Sequence, residues 1–322
     1  MSETKTLVAL AGAGTFGKNH LRVIRESPNA ELAGVYDLDP ARGQAAAQEF
    51  GCRCYSTLDE LAGHAQATIV AVPTVAHREV ACRLLNDGQD ILVEKPIAMN
   101  SAEAHDIINT ALQRGRILQV GHLERFNPAV AAAQKMITLP LFFEIHRLSI
   151  FSPRSLDVDV VLDLMIHDLD ILLSMTGADP VEVHAAGIPV LSGKADIANV
   201  RLTFASGCIA NLTASRVSTE RVRKLRLFQP RQYISVDYAK QDCFAISVDD
   251  NRQVKLLPQF VEKAEPLKLQ FESFLQSINT RARPVVDGEA AAKALELAQI
   301  IVEKIEEHGQ VVARSLASAS IQ

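Results

Sequence analysis

Three groups of residues in this 322-residue chain carry types and spacings that could do chemistry. The first lies on the run Val160 to Leu173, which is apolar almost all round yet carries Asp163, His167 and Asp170. A helix with apolar residues on every side is normally buried. At about 100° per residue the three polar side chains fall within roughly 60° of one another. Asp163 and His167 are spaced i, i+4, so the carboxylate can orient the imidazole. Buried ionisable groups must be paired or used, and a polar stripe there points to a lined cavity. A structural Asp–His hydrogen bond is the alternative. A metal site is the third option, and it lacks an obvious third ligand.

The second group is Glu94-Lys95-Pro96, at the end of an apolar strand. A lysine beside a positively charged nicotinamide is pushed toward neutrality and can move a proton. The alternative is a strand-end lysine in solvent. The third group is Gly12-x-Gly14-x-x-Gly17, with Thr15 and Phe16 inside it, entered directly from the apolar run Leu7 to Ala11. Helical spacing follows. Strand, tight glycine turn and helix make a phosphate cradle: Gly12 permits the turn, Gly14 admits the anion, and Gly17 lets helix and strand pack closely. Asp37 ends the next apolar strand, where an acid can accept hydrogen bonds from a ribose diol. The three groups together suit hydride transfer. A hydride leaves a carbinol carbon only as its hydroxyl proton departs, and Lys95 with His167 could take that proton beside a nicotinamide ring.

The elements that must position these groups alternate at short intervals. A helix is expected from Pro40 to Phe50, then a short strand at Cys52 to Tyr55 and a capped turn at Thr57 to Leu61. Strands follow at Ala67 to Val72, Asp90 to Val93 and Ile117 to Val120, with helices between them. That pattern predicts a doubly wound parallel sheet of the Rossmann kind, with ligands at the carboxyl ends of its strands. Gly12–Gly17, Asp37, Val72-Pro73-Thr74 with His77, Glu94-Lys95 and Gly121–Asn127 all fall at such ends and should converge on one crevice. After about residue 122 the pattern changes to consecutive strands with short turns, which reads as a mostly antiparallel open sheet in an α+β domain. Helices are expected at Asn127 to Met136, Val160 to Thr176, Pro266 to Arg281 and Gly288 to His308, and a loose tail from Ser315. The domains are 1–122, which holds the dinucleotide, and 123–322, whose last helix could pack back on the first domain.

Composition excludes several classes. Hydrophobic residues make up 48% and charged residues 22%, with a net charge of −5 and no basic block. This is a core-bearing protein with no nucleic-acid footprint. No run approaches the ~20 apolar residues of a membrane span, and the opening residues lead into a first strand rather than a signal peptide. The five cysteines fit no disulfide framework or zinc site, and free thiols suit the cytoplasm.

In their order, Gly12–Gly17, Pro73-x-x-x-His77, Glu94-Lys95-Pro96 and Asp163-x-x-x-His167 resemble the Gfo/Idh/MocA dehydrogenase family over nearly the whole chain. The resemblance implies oxidation of a sugar or cyclitol hydroxyl by NAD or NADP, with Lys95 and His167 catalytic and Asp163 supporting them. One departure is the run Asp157 to Leu162, where many members are glycine-rich. Gly121 to Pro128, Ser152 to Ser155 and Asp163 to Asp170 are similar to a narrower group, the UDP-N-acetylglucosamine 3-dehydrogenases. That likeness implies a nucleotide-sugar substrate oxidised at its 3-hydroxyl, with contacts at His122, Arg125, Asn127, Arg154, Asp163 and His167. A diphosphate wants arginines, and Arg125, Arg147 and Arg154 are the candidates.

Asp37 favours NAD, because a carboxylate repels a 2′-phosphate. Arg42 could admit NADP but falls in the following helix, where it is less well placed. An inositol or free sugar remains an alternative substrate, and a cofactor-binding sensor without turnover an alternative class. The apolar face of an open antiparallel sheet needs cover, so a homodimer or homotetramer is expected.

Overall fold

The computed structural model describes residues 5–151 and 158–319. They divide into two compact units. The first comprises residues 1–126 and 264–293, and the second residues 127–263 and 294–322.

The first unit is built on five strands: β1 (Thr6–Ala11), β2 (Ala30–Tyr36), β3 (Ala67–Val70), β4 (Asp90–Val93) and β5 (Leu118–Val120). All pair in parallel, in the order β2-β1-β3-β4-β5. The order reverses between β1 and β3, the place where doubly wound sheets open a crevice. Five helices connect them: α1 (Thr15–Glu26), α2 (Pro40–Phe50), α3 (Leu58–Ala62), α4 (His77–Asn86) and α5 (Ser101–Arg114). Short polar side chains start several of these. Asp39 accepts from the amides of Ala41 and Arg42, Thr57 from that of Glu60, and Asn100 from that of Glu103. Each satisfies donors that the first helical turn leaves over. Cys52 to Tyr55 does not form a strand. It makes one isolated bridge, Cys54 to Val35.

The helix α8 (Pro266–Thr280) belongs to this unit, although sequence order puts it after the second. Its Leu267, Phe271, Phe274 and Leu275 complete the core formed by Leu10, Leu21, Ile24, Ile69 and Leu92. Where a single boundary at 122 was expected, the chain therefore changes unit three times, after residues 126, 263 and 293. Apolar burial decides this: two fully enclosed phenylalanines outweigh sequence proximity.

The second unit begins with α6 (Pro128–Gln134) and holds eight strands: β6 (Phe142–Ile150), β7 (Pro180–Ile188), β8 (Ile197–Phe204), β9 (Ile209–Ser218), β10 (Val222–Gln229), β11 (Gln232–Asp237), β12 (Asp242–Val248) and β13 (Val254–Gln259). Their order is β13-β12-β11-β10-β6-β9-β8-β7, with only β6 and β9 parallel. The inner face packs on a π-helical turn at Val161–Met165 that runs into α7 (Ile166–Thr176). The last helix, α9 (Gly288–Ala319), starts in the first unit and continues in the second, where Ala298 and Ile301 join the core. It extends well past His308, through most of the expected loose tail. A single Gly309 costs a helix only about 1 kcal/mol against alanine, too little to stop it.

Replacing Phe274 by alanine should destabilise the first unit by about 3–5 kcal/mol, as for other enclosed aromatic side chains. Hydrogen exchange should show β1–β5 losing protection while β6–β13 retain theirs. Equal loss in both sheets would contradict the division drawn above.

Candidate functional site

In the first unit β1 delivers the chain into Gly12, at φ +99°. A Cβ there would stand 2.5 Å from the Ala71 carbonyl oxygen, so the loop lies directly on the end of β3. A Cβ on Gly17 would fall on the Gly12 carbonyl oxygen. Gly14 is different: nothing lies within 4 Å of where its Cβ would be. Gly14 is also the N-cap of α1 and contributes no capping side chain. The positive end of α1 therefore meets open space, the arrangement that binds a phosphate.

That space is a cavity of about 470 Å³. Its walls include Gly12, Gly14, Thr15, Phe16 and Asp37, with Val72 and Pro73 from the β3 end, all expected from the sequence. Gly17 sits behind the loop, and Thr74 opens the short 3-10 turn at Thr74–Ala76. The far wall was not foreseen. It is a stripe of the following segment, Ala76, Glu79, Val80 and Arg83. Their i, i+3, i+4, i+7 spacing was a readable signal that one helical face looks into the crevice. An adenosine diphosphate moiety fits these features: an uncapped helix end for phosphate, apolar walls for a base, and a carboxylate for the ribose.

The carboxylate is held on all sides. Asp37 Oδ2 accepts from the Ala13 amide at 2.7 Å, and Oδ1 from the Asp39 amide at 2.8 Å. Arg42 adds a bidentate pair, Nε to Oδ2 at 3.0 Å and Nη2 to Oδ1 at 2.9 Å. Burial opposes ionisation of Asp37, but the guanidinium and the two amides outweigh it and keep the carboxyl below its ordinary value. Arg42 falls in the following helix, as expected, and from there it reaches the Asp37 carboxylate. Asp37 precedes the α2 cap by two residues, so the first helical turn brings position 42 back over the strand end.

Glu94 and Lys95 leave the end of β4. Glu94 packs against Gly121, where a Cβ would lie 2.8 Å from either carboxylate oxygen. Its Oε1 stands 2.7 Å from Nε2 of the fully buried His20, whose ring meets Phe16 edge-on. His20 was not singled out from sequence, although it follows Phe16 by four residues on α1 and so shares its face. Glu94 is thereby tied to the glycine-loop helix. His77 makes the corresponding link on the other side. Its Nδ1 lies 2.9 Å from the Pro96 carbonyl and its Nε2 3.0 Å from that of Val72. Burial lowers its pKa, and a neutral ring donates to only one of the two carbonyls. His77 is thus buried between backbone segments and is not part of the cavity wall. His122 is buried as well. Desolvation, with the charges of Lys95 and Arg125 nearby, pushes it down to about 3. Arg125 is half-buried and donates to the Val285 carbonyl at 3.4 Å.

In the second unit Asp163 lies in the π-helical turn and His167 in the first turn of α7, both half-buried, while Asp170 is buried. The stripe is therefore not uniform. A π turn advances differently from an α turn, so the 100° rule fails across its junction. Asn127 caps α6, its Oδ1 accepting from the Ala129 amide and its Nδ2 donating to the Tyr238 carbonyl at 3.0 Å. Its amide serves the fold at both ends. Arg147 corrects another expectation: it does not face a crevice. It alternates in phase with Phe143 and Ile145 on β6 and points into the core. There it makes a bidentate pair with Asp168 at 2.7 and 2.8 Å, with its guanidinium 5.3 Å from the centre of the Tyr238 ring. Arg154 lies outside the described residues.

Comparison with known proteins places this geometry. Residues 6–122 match the model of an oxidoreductase family with an NAD-binding Rossmann fold, Gfo/Idh/MocA, and residues 146–234 match the C-terminal domain of the same family. The chain is 35% identical over 293 residues to a UDP-N-acetylglucosamine 3-dehydrogenase of Acidithiobacillus ferrooxidans, spanning 89% of this chain and 93% of that protein. A solved structure of that enzyme superposes with a TM-score of 0.90 at 34% identity, covering 95% and 99% of the two chains. An inositol 2-dehydrogenase of Rhizobium meliloti is 27% identical over 322 residues, 94% of this chain and 97% of that one.

The His122 environment sets a pH dependence. Above about pH 6.5 the ring is neutral in both folded and unfolded chains. Between about 6.5 and 3 the unfolded chain takes up a proton that the folded one refuses, so stability falls as pH falls and levels off below 3. His122→Asn should show a shallower loss of Tm across that window than the native chain. Parallel Tm curves for the two would mean that His122 titrates normally.

Proposed function

The chain belongs to the Gfo/Idh/MocA family of NAD-binding oxidoreductases, and from that premise we propose that it oxidises the 3-hydroxyl of a UDP-N-acetylhexosamine. The observation that carries this reading is the likeness to the UDP-N-acetylglucosamine 3-dehydrogenase, at 35% identity over 89% of this chain. The inositol dehydrogenase matches over a similar span at 27%.

The glycine loop, the α1 N-terminus and Asp37 would hold NAD, which when bound would supply the hydride acceptor. The protein's own part is to hold the sugar and to remove a proton. Lys95 Nζ is the leading candidate to accept the hydroxyl proton. The main chain that carries it is held in place: the Lys95 backbone amide donates to the Glu94 carboxylate at 3.3 Å, and Glu94 in turn is anchored by His20. His167 is the second proton-handling group, with Asp163 orienting its ring. The buried Arg147–Asp168 pair fixes the helix that carries His167, since Asp168 is its next residue. Arg125 and Arg154 are assigned to the diphosphate. The five free thiols suit a cytoplasmic protein, and we assign the open face of the eight-stranded sheet to contact with a second copy of the chain.

The test is NADH formation with UDP-N-acetylglucosamine, myo-inositol and free N-acetylglucosamine. The nucleotide sugar should be oxidised fastest, and UDP alone should inhibit competitively. Lys95→Met and His167→Asn should each lower kcat by about 10²–10⁴, the usual worth of a general acid or base, with NAD binding followed separately by calorimetry. Turnover of myo-inositol without inhibition by UDP would assign the chain to the cyclitol branch instead. Unchanged turnover in Lys95→Met would remove that residue from catalysis.

A further inference from the structure

Three charged side chains of the second unit, Asp159, Asp196 and Arg216, are buried and take no part in the chemistry proposed above. Charge is costly to bury unless it is paired and hydrogen-bonded. All three converge on the start of the π-helical turn. Arg216 follows Leu212 and Ala214 at alternate positions on β9, so it shares their inward face, the one on which that turn packs. Its Nη2 donates to the Val158 carbonyl at 2.5 Å. Its Nε lies 3.7 Å from Asp196 Oδ1, an ion pair too long for a hydrogen bond. Its own amide donates to the Asp196 carbonyl at 2.9 Å.

Asp196 is a rigid mount for that arginine. Its Oδ2 accepts from the amides of Val190, Leu191 and Ser192 at 2.7, 2.6 and 2.9 Å, and its Oδ1 from the Ser192 hydroxyl at 2.7 Å. Burial opposes ionisation of Asp196, but these donors outweigh it and bring the carboxyl down to about 2. Asp159 completes the arrangement from the helix side. Its carboxylate accepts from the Val161 amide at 2.9 Å and also from the Ala195 amide, while the Val160 amide donates to the Ala195 carbonyl at 3.2 Å. Residues 158–161 are therefore tied to β9 by the guanidinium and to Ala195 by two further bonds. The next turn inherits that position: the Asp163 amide donates to the Asp159 carbonyl at 3.0 Å, and His167 follows in the first turn of α7.

We propose that Arg216, mounted on Asp196, is a positioning residue for the oxidation: it fixes where the π-helical turn starts, and so where Asp163 and His167 stand. The inference rests on the assignment of those two residues to proton handling. A π turn spaces its hydrogen bonds one residue wider than an α turn, so the residues beyond it keep their phase only if both its ends are pinned. The Arg147–Asp168 pair pins the far side, one residue after His167. Arg216 pins the near side. Without it the Val158 carbonyl loses this donor and the turn is released toward α geometry, which rotates Asp163 relative to His167 by roughly the 100° between consecutive helical residues.

The whole protein is assayed with NAD and the sugar it turns over fastest, and its histidine rings are titrated by NMR, with His167→Asn identifying the His167 signal. Arg216→Met should lower kcat by about 10²-fold, the cost of a misplacement of about 1 Å, with KM for NAD within about twofold of native. The His167 signal should titrate at a displaced pH, in the same direction as in Asp163→Asn, because both changes take the carboxylate from the ring. Arg216→Lys keeps the charge but not the planar fork and should recover part of both effects, leaving kcat about tenfold down. Asp196→Asn keeps an oxygen for the three amides, removes the charge that holds Arg216, and should match Arg216→Lys. If Arg216→Met does not fold, these two variants decide. A lowered Tm with native kcat and native His167 titration in the folded variants is what a merely structural arginine gives, and it would overturn the proposal. Full turnover in His167→Asn would instead remove the assignment on which the proposal rests, and the proposal with it.

Discussion

The first unit depends on a backbone-to-backbone contact. The glycine loop lies on the end of β3 so closely that Gly12 could not carry a methyl group, and Gly17 could carry none because it packs on the Gly12 carbonyl. That contact aims α1 at the cavity. It also puts the Ala13 amide where Asp37 can accept from it, and so ties the ends of β1 and β2 together. From α1, His20 reaches Glu94, and from the β3 end, His77 bridges to Pro96. The strand-end loops on which Lys95 depends are thus held from both sides by buried histidines, His20 on the glycine-loop helix and His77 at the start of α4. A small shift of the loop would be felt at the lysine, because each link is a short hydrogen bond in a close-packed interior.

The second unit holds its polar residues by a different means. Taking Arg147 and Asp168 out of water is costly, and an apolar pair of the same size is often at least as stable. What the ion pair adds is direction. A bidentate fork accepts one register of α7 against β6, where leucines would tolerate several. The π turn ahead of α7 has a related effect. It lifts Asp163 out of the α phase and leaves both Asp163 and His167 half-buried while their neighbours Met165, Ile166 and Asp168 are enclosed.

Much of this was legible from residue types and spacing. The glycine motif, the acid at the end of β2 and the strand alternation specify the parallel sheet because each is a local backbone requirement. The Asp39, Asn100 and Asn127 caps were equally readable. Three things were not. Membership of α8 in the first unit is decided by Phe271 and Phe274 filling a core hundreds of residues upstream, and no local pattern reports that. The π turn is a phase slip that hydrophobic periodicity passes over. Arg147 reads as a ligand-facing arginine only while its partner is unknown. Asp168, 21 residues later on another element, turns it inward. The Arg42–Asp37 pair was within reach of sequence reasoning, since the two stand five residues apart, but only geometry shows which way the guanidinium points.

The split composition of the first unit bears on how the protein is made. Its five strands are complete by residue 120, yet Phe271 and Phe274 leave the ribosome only after the entire eight-stranded sheet has been synthesised. At about 5–20 residues per second, the stretch from 127 to 263 imposes a wait of roughly 7–27 s. During that interval the nascent Rossmann sheet has an uncovered apolar patch where α8 will dock, and the growing chain passes through a stage in which chaperone capture or nucleotide binding has the most to offer it.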